Sequence, residues 1–274
     1  MNPNVARITK IVTSVDMDTP EFIGAVCPPT FETSVFLGNH EKYGYSRTSG
    51  NPTGDALHRM LAQMENAEAA LAVSSGATAI FTAMVSSLKA GDHVIMDRNA
   101  YARALQFVQD FERFGITHTF VTIQNIDEVE AAIRPETTLI YFESPSSLLF
   151  EVCDIRAITV LAKKHGIRTI LDNTYCTPVF QNPIDMGIDV VLHSATKYLG
   201  GHSATIAGAI ISSKEFIDNL TPVEAKLPAH SASKLLLNLR TLPLRMERHY
   251  ENAKQVSAFL ERHEIIKEVM YPVS

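Results

Sequence analysis

The stretch VVLHSATKYLGG, residues 190–201, joins a short apolar run to a polar turn that carries a lysine. Val190 to Leu192 has the pattern of a buried strand, and hydroxyl residues, Lys197 and two glycines follow it directly. The same order recurs where the apolar run 167–171 ends at Asp172. Apolar runs that end on polar residues are typical of parallel strands, whose carboxyl ends carry ligand sites.

Further short apolar runs lie on both sides of this stretch, at 70–73, 94–96, 120–123, 138–142 and 207–211. Helical patterns separate most of them, such as Leu57, Met60, Leu61 and Met64 at i, i+3, i+4 and i+7. The alternation predicts an α/β fold with a mostly parallel seven-stranded sheet and helices on both faces. We expect the polar residues at the strand ends to share one edge of that sheet: Ser74, Ser75, Asp97, Glu143, Asp172 and Ser194.

Composition indicates a soluble globular protein. The 274 residues are 46% hydrophobic and 20% charged, and 24 Lys+Arg against 30 Asp+Glu give a net charge of −6. A nucleic-acid partner is therefore not expected, because such proteins carry a basic face. The three cysteines lack CxxC spacing, which argues against a disulfide scaffold and a zinc site and suits the reducing cytoplasm.

Membrane and export signals are not expected. Residues 1–24 contain no apolar h-region of a secretory signal. The uncharged run 69–88 is long enough to cross a bilayer, but serines, threonines and a glycine interrupt it. A buried strand, a turn and a buried helix explain this run better.

Lys197 and Asp172 are the first candidates for chemistry. A lysine held in a tight turn after a strand can serve as a Schiff-base nucleophile once its ammonium pKa falls. A carboxylate after an apolar strand is costly unless it meets a cation such as a protonated pyridine nitrogen. Taken alone, Lys197 also fits a solvated surface lysine, and Asp172 also fits a turn or a helix N-cap.

Phosphate and ring contacts are the next candidates. Gly76 and Ala77 open a predicted helix, where free backbone N–H groups bind phosphate, and the Ser194 and Thr196 hydroxyls can add to them. Arg47 suits bidentate phosphate contact. Taken alone, Tyr101 also fits a packing tyrosine, Arg47 also fits a surface arginine, and the turn at Gly76 also fits an ordinary β–α turn. The tyrosine can stack on a planar cofactor.

Together these elements match the needs of pyridoxal 5′-phosphate: an amine, a partner for the ring nitrogen, a phosphate cradle and a stacking ring. No GxGxxG, GxxxxGK[ST], GxSxG or HExxH motif offers a competing explanation, and no residue is assigned to a metal.

The chain resembles the trans-sulfuration family of pyridoxal-phosphate enzymes, which includes cystathionine γ-synthase, cystathionine β- and γ-lyase and methionine γ-lyase. The resemblance implies the aspartate aminotransferase-like fold, fold type I. The matching stretches occur in the family's order: YSRTSGNPT (45–53), SSGATAI (74–80), GDHVIMD (91–97), Tyr101, FESP (142–145), DNTY (172–175), HSATKYLGGHS (193–203) and LRTLPLRMERH (239–249).

The resemblance implies a role for each matched residue. Lys197 would form the internal aldimine and move the substrate's protons, and Tyr101 would stack on the ring and help to deprotonate the incoming amine. Asp172 would pair with the pyridine nitrogen. The cofactor-binding residues implied by the resemblance are Tyr45, Arg47, Ser75, Gly76, Ala77, Tyr101, Ser147, Asp172, Thr174, Ser194, Thr196 and Lys197. Tyr45 and Arg47 would reach the phosphate of a neighbouring subunit, so a homodimer or homotetramer with shared active sites is expected.

The chain also departs from the family pattern. Ser147 stands where many members carry an Asn that bonds the cofactor's phenolic oxygen, which favours the bacterial cystathionine β-lyase branch. The family's C-terminal domain supplies an arginine for the substrate carboxylate, and Arg240 and Arg245, which belong to the preceding helix motif, are not expected to take that role. We expect an N-terminal arm reaching a neighbouring subunit over 1–45, a cofactor-binding α/β domain over 46–233, and a long helix with the start of a truncated C-terminal domain over 234–274.

Three activities remain open on the sequence. The first, which the sequence favours, is β/γ-elimination at the C–S bond of a small amino-acid substrate resembling cystathionine or methionine, and the other two are alternatives to it. The second is γ-replacement, as in cystathionine γ-synthase or O-acetylhomoserine sulfhydrylase. The third is a pyridoxal-phosphate-binding partner subunit with little activity alone.

Overall fold

The computed structural model describes residues 3–13, 22–38, 42–221 and 225–272. Within these ranges one sheet is built from seven strands, in the order β1-β7-β6-β5-β4-β2-β3. The strands are β1 (Ala69–Val73), β2 (His93–Asp97), β3 (Thr117–Val121), β4 (Thr137–Glu143), β5 (Arg168–Asp172), β6 (Val190–His193) and β7 (Gly208–Ser212).

The sheet is mostly parallel, as the sequence predicts. Strands β3, β2, β4, β5 and β6 pair in parallel, whereas β7 lies antiparallel between β6 and β1. Strand β7 runs in the opposite direction because the connection after His193 turns back at the same edge of the sheet instead of crossing over. The carboxyl ends of β1, β2, β4, β5 and β6 therefore meet at one edge, which we call the carboxyl edge.

Helices precede, separate and follow the strands. They are α1 (Pro3–Thr13), α2 (Ser46–Ser49), α3 (Pro52–Met64), α4 (Gly76–Ser87), α5 (Ala102–Asp110), α6 (Ile126–Ala131), α7 (Ile155–Lys164), α8 (Thr177–Phe180), α9 (Lys214–Asp218), α10 (Ala229–Leu239) and α11 (Leu242–Glu261). Short 3₁₀ turns lie at Phe111–Phe114 and Pro183–Met186. Within the described residues, no helix is both long and apolar enough to cross a membrane.

The sheet separates two apolar cores, because successive side chains of a strand point to opposite faces. Along β4, Ile140 and Phe142 pack in the larger core with α3, α7 and α10. Leu139 and Tyr141 pack in the smaller core with α4 and α5. Helices on both faces confirm the predicted α/β class.

The predicted boundaries shift in one strand. Strand β3 starts at Thr117 and ends at Val121, whereas the apolar run predicts 120–123. The register explains the difference, since Thr117 pairs with His93 and Val121 pairs with Asp97. The partner strand β2, not the apolar run, sets the length of β3. The uncharged run 69–88 forms β1, a turn and α4, as predicted.

The three predicted segments of the chain are not tested by a single protomer. The helix α1, in the expected N-terminal arm, packs against α3, α8 and α11 of its own chain. Parts of the expected arm, residues 14–21 and 39–41, lie outside the described residues.

Candidate active site

The carboxyl edge collects the polar strand-end residues that the sequence singles out. Glu143 of β4 pairs in register with Asp172 of β5, which in turn pairs with Leu192 of β6. On the other side, Val73 of β1 pairs with Gly208 of β7. The strand ends therefore bring the Lys197 turn, Asp172 and the start of α4 to one edge.

Asp172 is tied to the segment that follows its own strand. Its Oδ1 accepts hydrogen bonds from the Thr174 N–H at 2.9 Å and from the Thr174 hydroxyl at 2.5 Å. Burial raises the pKa of the Asp172 carboxyl above its usual range, and the Thr174 bonds oppose that rise. A cation docked beside this carboxylate would offset the cost of its burial.

Thr174 links Asp172 to the Lys197 turn. Its hydroxyl oxygen accepts a 2.7 Å hydrogen bond from the Ser194 N–H while its proton goes to Asp172. The sequence predicts Thr174 as a cofactor contact, whereas its hydroxyl proton here serves Asp172. The ends of β5 and β6 are therefore held at a fixed spacing by one side chain.

Lys197 lies in a compact turn with its side chain exposed. The Lys197 N–H donates to the Ser194 carbonyl at 3.0 Å, and the Gly201 N–H donates to the Lys197 carbonyl at 2.7 Å. Gly201 has φ +71°, and a side chain there would collide with the Arg245 guanidinium, which donates to the Tyr198 carbonyl at 2.6 Å. The turn thus needs glycine for both its backbone angle and its space.

The Thr196 hydroxyl, which the sequence predicts to contact phosphate, is hydrogen-bonded to the backbone of Ala207. This hydroxyl donates to the Ala207 carbonyl at 3.1 Å and accepts from the Ala207 N–H at 3.0 Å. Positions 196 and 207 are the two ends of the loop between β6 and β7, so the hydroxyl closes this loop. Phosphate contact by Thr196 stays a prediction.

The start of α4 forms a cradle against the Lys197 turn. Ser75 is the N-cap, and its hydroxyl accepts from the Thr78 N–H at 3.0 Å, which leaves the first-turn N–H groups of Gly76 and Ala77 for a ligand. A methyl group at Gly76 would lie 2.7 Å from both Cβ and Oγ of Ser194. Only glycine lets the helix start approach Ser194 so closely.

These residues fit pyridoxal phosphate. The helix start beside the Ser194 hydroxyl can hold a phosphate, since amide donors and the helix dipole both favour an anion there. The carboxylate of Asp172 suits a protonated ring nitrogen, and the primary amine of Lys197 can hold an aldehyde. The polar groups therefore match the charged parts of the cofactor, and the absence of a side chain at Gly76 keeps the phosphate position beside Ser194 free.

Glu143 is expected from the sequence only as a polar strand-end residue, whereas the structure gives it a direct role at the site. Its side chain is buried at the end of β4, where Oε1 accepts from the Tyr101 N–H at 2.7 Å. Oε2 accepts from the Ser147 N–H at 3.0 Å and from the Ser147 hydroxyl at 2.6 Å. Burial, followed by the nearby charge of Asp172, raises the pKa of Glu143 to about 8. Its signal in the sequence is a carboxylate that ends a strand of β-branched, aliphatic and aromatic residues.

Glu143 thus orients two residues that the sequence predicts around the cofactor. Tyr101 is the N-cap residue of α5, and 49% of it is exposed although its N–H is fixed. Ser147 donates its hydroxyl proton to Glu143 rather than keeping it for a ligand. One buried carboxyl therefore holds both the backbone of the tyrosine predicted to stack on the cofactor and the side chain of the serine predicted to contact its phenolic oxygen.

Tyr45 and Arg47 lie on an exposed segment around α2. The Arg47 guanidinium carbon is 6.0 Å from the centre of the Tyr45 ring. Tyr45 forms an isolated antiparallel bridge with Val35, and the Ser46 N–H donates to the Ser34 carbonyl at 2.8 Å. Both side chains are accessible to another molecule.

Comparison with known proteins gives a family for this arrangement. The model of the "Cys/Met metabolism PLP-dependent enzyme" family matches residues 10–274. The cystathionine beta-lyase of Lactococcus lactis subsp. cremoris is 39% identical over 278 residues, covering 97% of this chain and 73% of the relative. The cystathionine gamma-lyase of Bacillus subtilis is 40% identical over 93% of this chain and 69% of the relative. The L-methionine gamma-lyase of Treponema denticola is 37% identical over 91% and 67%.

Solved structures agree with the sequence matches. The crystal structure of metB from Corynebacterium glutamicum superposes with a TM-score of 0.92 at 29% identity, covering 99% of this chain and 73% of that one. The cystathionine gamma-lyase from Lactobacillus plantarum, complexed with L-serine, has a TM-score of 0.89 at 34% identity over 98% and 71%. The chain belongs to the Cys/Met metabolism PLP-dependent enzyme family, and it is a pyridoxal-phosphate-dependent lyase of sulfur amino-acid metabolism.

Proposed function

We propose that the chain breaks the C–S bond of a thioether amino acid resembling cystathionine or methionine by β- or γ-elimination. The observation that carries this proposal is the hydrogen-bonded path from Ser194 through Thr174 to Asp172, which links the Lys197 turn to a partly buried carboxylate. The Lactococcus, Bacillus and Treponema relatives, named as lyases of cystathionine and methionine, support the substrate class.

Bound pyridoxal phosphate supplies an electron sink that acidifies the α-proton of an amino acid joined to it. Lys197 would hold the cofactor through its side-chain amine and, once released from it, would take the α-proton on Nζ. Asp172 would keep the ring nitrogen protonated, because a carboxylate stabilises the positive charge beside it. The sulfur would leave as a thiol carrying the proton that Lys197 took, and water would convert the remaining fragment into a keto acid and ammonia.

The remaining predicted residues hold and orient the cofactor. The N–H groups of Gly76 and Ala77 and the Ser194 hydroxyl would bind its phosphate, with Ser75 fixing the helix start as N-cap. The Tyr101 ring would stack on the cofactor. Thr196 closes the loop between β6 and β7, and Ser147 is held by Glu143 near the predicted cofactor site.

A second copy of the chain is part of the proposal. Tyr45 and Arg47 are exposed, and Arg is the residue best suited to a phosphate presented by another molecule. We therefore propose a homodimer or homotetramer whose active sites are shared. The thiols of Cys27, Cys153 and Cys176 are free, which suits a cytoplasmic enzyme.

Product analysis tests the activity and separates its alternatives. Cystathionine gives pyruvate and homocysteine by β-elimination, or 2-oxobutyrate and cysteine by γ-elimination, with ammonia in both cases. A new thioether from O-acetylhomoserine and a thiol would instead identify the replacement reaction. Cofactor binding without turnover of any of these substrates would identify a partner subunit.

Lys197→Ala and Lys197→Arg test the residue that holds the cofactor. Arginine keeps the positive charge but cannot attack the aldehyde, so both variants should lose the visible absorbance of the bound cofactor and all product. Lys89→Ala, which removes an exposed lysine away from the strand ends, serves as the matched control. Full turnover by Lys197→Ala would refute the assignment.

A further inference from the structure

A buried polar cluster lies beneath the carboxyl edge and is not used in the proposed function. It consists of Glu65, which follows α3, together with Asn173, Asn182 and His193, and we call it the Glu65 cluster. The side chains of Glu65 and His193 are both 0% exposed. A carboxylate and an imidazole buried this deeply are costly unless each meets a partner.

One carboxylate oxygen of Glu65 joins the ends of two strands. Oε1 accepts from Asn173 Nδ2 at 2.8 Å and lies 2.7 Å from His193 Nε2. Asn173 follows Asp172, and His193 precedes Ser194. Glu65 therefore connects the backbone that carries Asp172 with the backbone that begins the Lys197 turn.

The contacts fix the direction of these bonds. Oε2 of Glu65 faces another donor, Asn182 Nδ2, at 3.3 Å. Because a carboxylate that faces amide donors acts as an acceptor, His193 donates through Nε2. Within the described residues His193 Nδ1 is buried without a hydrogen-bond partner. The ring is therefore oriented to bond Glu65 through Nε2, although this leaves Nδ1 unsatisfied.

Neighbouring elements hold the amide members of the cluster. Gln181 Nε2 donates to Asn173 Oδ1 at 2.9 Å, and Asn173 Nδ2 also donates to the Gln181 carbonyl at 3.0 Å. From α1, Arg7 donates to Asn182 Oδ1 at 3.0 Å, and this leaves Asn182 Nδ2 to face Glu65. The cluster has little freedom to rearrange.

We propose that Glu65 is a positioning residue that acts through Asn173 and His193. By fixing the ends of β5 and β6, it sets the spacing between Asp172 and the Ser194–Lys197 turn, and hence the affinity for pyridoxal phosphate. This inference rests on the proposed function.

The test compares His193→Gln with His193→Asn in the full chain. The glutamine amide nitrogen can take the place of Nε2 and donate to Glu65, whereas the shorter asparagine cannot reach it. We expect His193→Gln to keep the dissociation constant for pyridoxal phosphate within about twofold, and His193→Asn and Glu65→Gln each to raise it about tenfold, the value of one charge-assisted hydrogen bond. Absorbance titration measures the dissociation constant, and thermal unfolding without cofactor reports on the fold.

The double variant tests whether the two residues act through the same contact. Glu65→Gln combined with His193→Asn should weaken cofactor binding about tenfold rather than a hundredfold, because both changes break the same contact between positions 65 and 193. Glu68→Gln, three residues from Glu65 and exposed, should bind the cofactor like the unaltered chain.

Other results would overturn the inference. Unchanged cofactor affinity in His193→Asn and Glu65→Gln, even with lowered thermal stability, would reduce the cluster to a structural role. A weakened His193→Gln or fully multiplicative effects in the double variant would also refute it. Failure of the unaltered chain to bind pyridoxal phosphate would instead refute the proposed function, and the positioning role with it.

Discussion

The floor of the candidate site, formed by Gly76, Asp172, Thr174 and Ser194, is held together inside one chain, whereas its rim at Tyr45, Arg47 and Tyr101 is open. On the floor, hydrogen bonds and a glycine contact connect three separate strand ends. On the rim, Tyr45 is 46% and Tyr101 is 49% exposed. The floor is therefore shaped before a ligand arrives, whereas the rim side chains remain accessible to a ligand or to a second copy of the chain.

This difference separates two kinds of contribution. Substitutions on the floor should change the catalytic rate, the affinity for the cofactor and the free energy of unfolding together, because the floor residues contact one another. Changes on the rim should leave the single chain stable and affect only the assembled enzyme. Four changes test this division, beginning with the largest expected effect.

Asp172→Asn removes the negative charge of the Asp172 carboxylate but keeps an amide oxygen that can accept the hydrogen bonds from Thr174. We expect kcat/KM to fall at least about a hundredfold, since loss of one partner of a buried charge pair costs roughly 3 kcal/mol or more. Steady-state kinetics with the best substrate of the panel measures the loss.

Asp189→Asn is the matched control for this change. Asp189 Oδ2 accepts from the Thr169 N–H and the Thr169 hydroxyl, both at 2.8 Å, in the same pattern as Asp172 with Thr174. It lies beside the opposite end of β5, so its variant should keep activity. Equal losses in both variants would show that the Asp172 effect is structural.

Gly76→Ala tests the contact between α4 and Ser194. The added methyl would meet Ser194 at 2.7 Å, so we expect the free energy of unfolding to fall by about 1–3 kcal/mol, as for other overpacked sites. Cofactor affinity should fall with it, because the helix start moves away from Ser194. Urea unfolding and cofactor titration measure the two effects.

Gly54→Ala in the first turn of α3 is the control, since its nearest neighbours lie 3.8 Å from an added methyl. Alanine in a helix with such space is neutral or stabilises by about 0.4–1 kcal/mol. If Gly76→Ala were as stable as Gly54→Ala, the close approach of Gly76 to Ser194 would be contradicted.

The pH dependence of stability tests the buried carboxyl that links floor and rim. Glu143 ionises near 4.5 when unfolded, whereas the fold raises its pKa to about 8. Its stabilising contribution is therefore complete below pH 4.5 and is lost as pH rises toward 8. The free energy of unfolding of the cofactor-free chain should fall across this window by at most about 1.4 kcal/mol per pH unit for this group.

Glu143→Gln should flatten that slope, because an amide does not titrate in this range. Glu136→Gln, at an exposed glutamate, should leave the slope unchanged. Denaturant unfolding at a series of pH values gives both slopes. Identical slopes for the unaltered chain and Glu143→Gln would rule out a protonated Glu143 in the fold at neutral pH.

Arg47→Met should have the smallest effect on the isolated chain. Because its side chain is exposed, we expect the free energy of unfolding to change by less than about 0.5 kcal/mol. Activity should nevertheless be lost if Arg47 serves the site of a second copy. Mixing Arg47→Met with Lys197→Ala should then restore about a quarter of the sites, as random pairing in a symmetric dimer gives.

A mixture of Asp172→Asn with Lys197→Ala is the control, since Asp172 and Lys197 are expected to serve the same site from one chain. No mixed dimer of these variants contains an intact site, so no activity should return. Recovery in this mixture, or none in the first, would remove the distinction between floor and rim.

Much of the fold could be predicted because each strand is a local apolar run that ends on a polar residue. The runs at 138–142, 167–171 and 190–192 appear as β4, β5 and β6 within one or two residues. The start of β3 at Thr117 was missed, since pairing with β2 decides it. The antiparallel direction of β7 also depends on its neighbours rather than on its own residues.

The residues with distinctive chemistry, Lys197, Asp172 and Gly76, could be selected from the sequence because their local context is unusual for a solvated lysine, a turn aspartate or a helix glycine. Glu143 could be placed at the sheet edge, but neither its role nor that of Glu65 could be predicted, since a carboxylate's role depends on which donors face it. Glu65 meets its donors 108 and 128 residues further along the chain.

Periodicity and strand-end residues, which act over a few positions, determined the α/β class and the chemical groups available to this protein. Tertiary structure decided how those groups are oriented. Strand order and register bring Glu143 to Tyr101 and Ser147, and the end of α3 brings Glu65 to His193. Hydrogen bonds form only within about 3 Å, and contacts between distant segments at that range are set by packing of the whole chain.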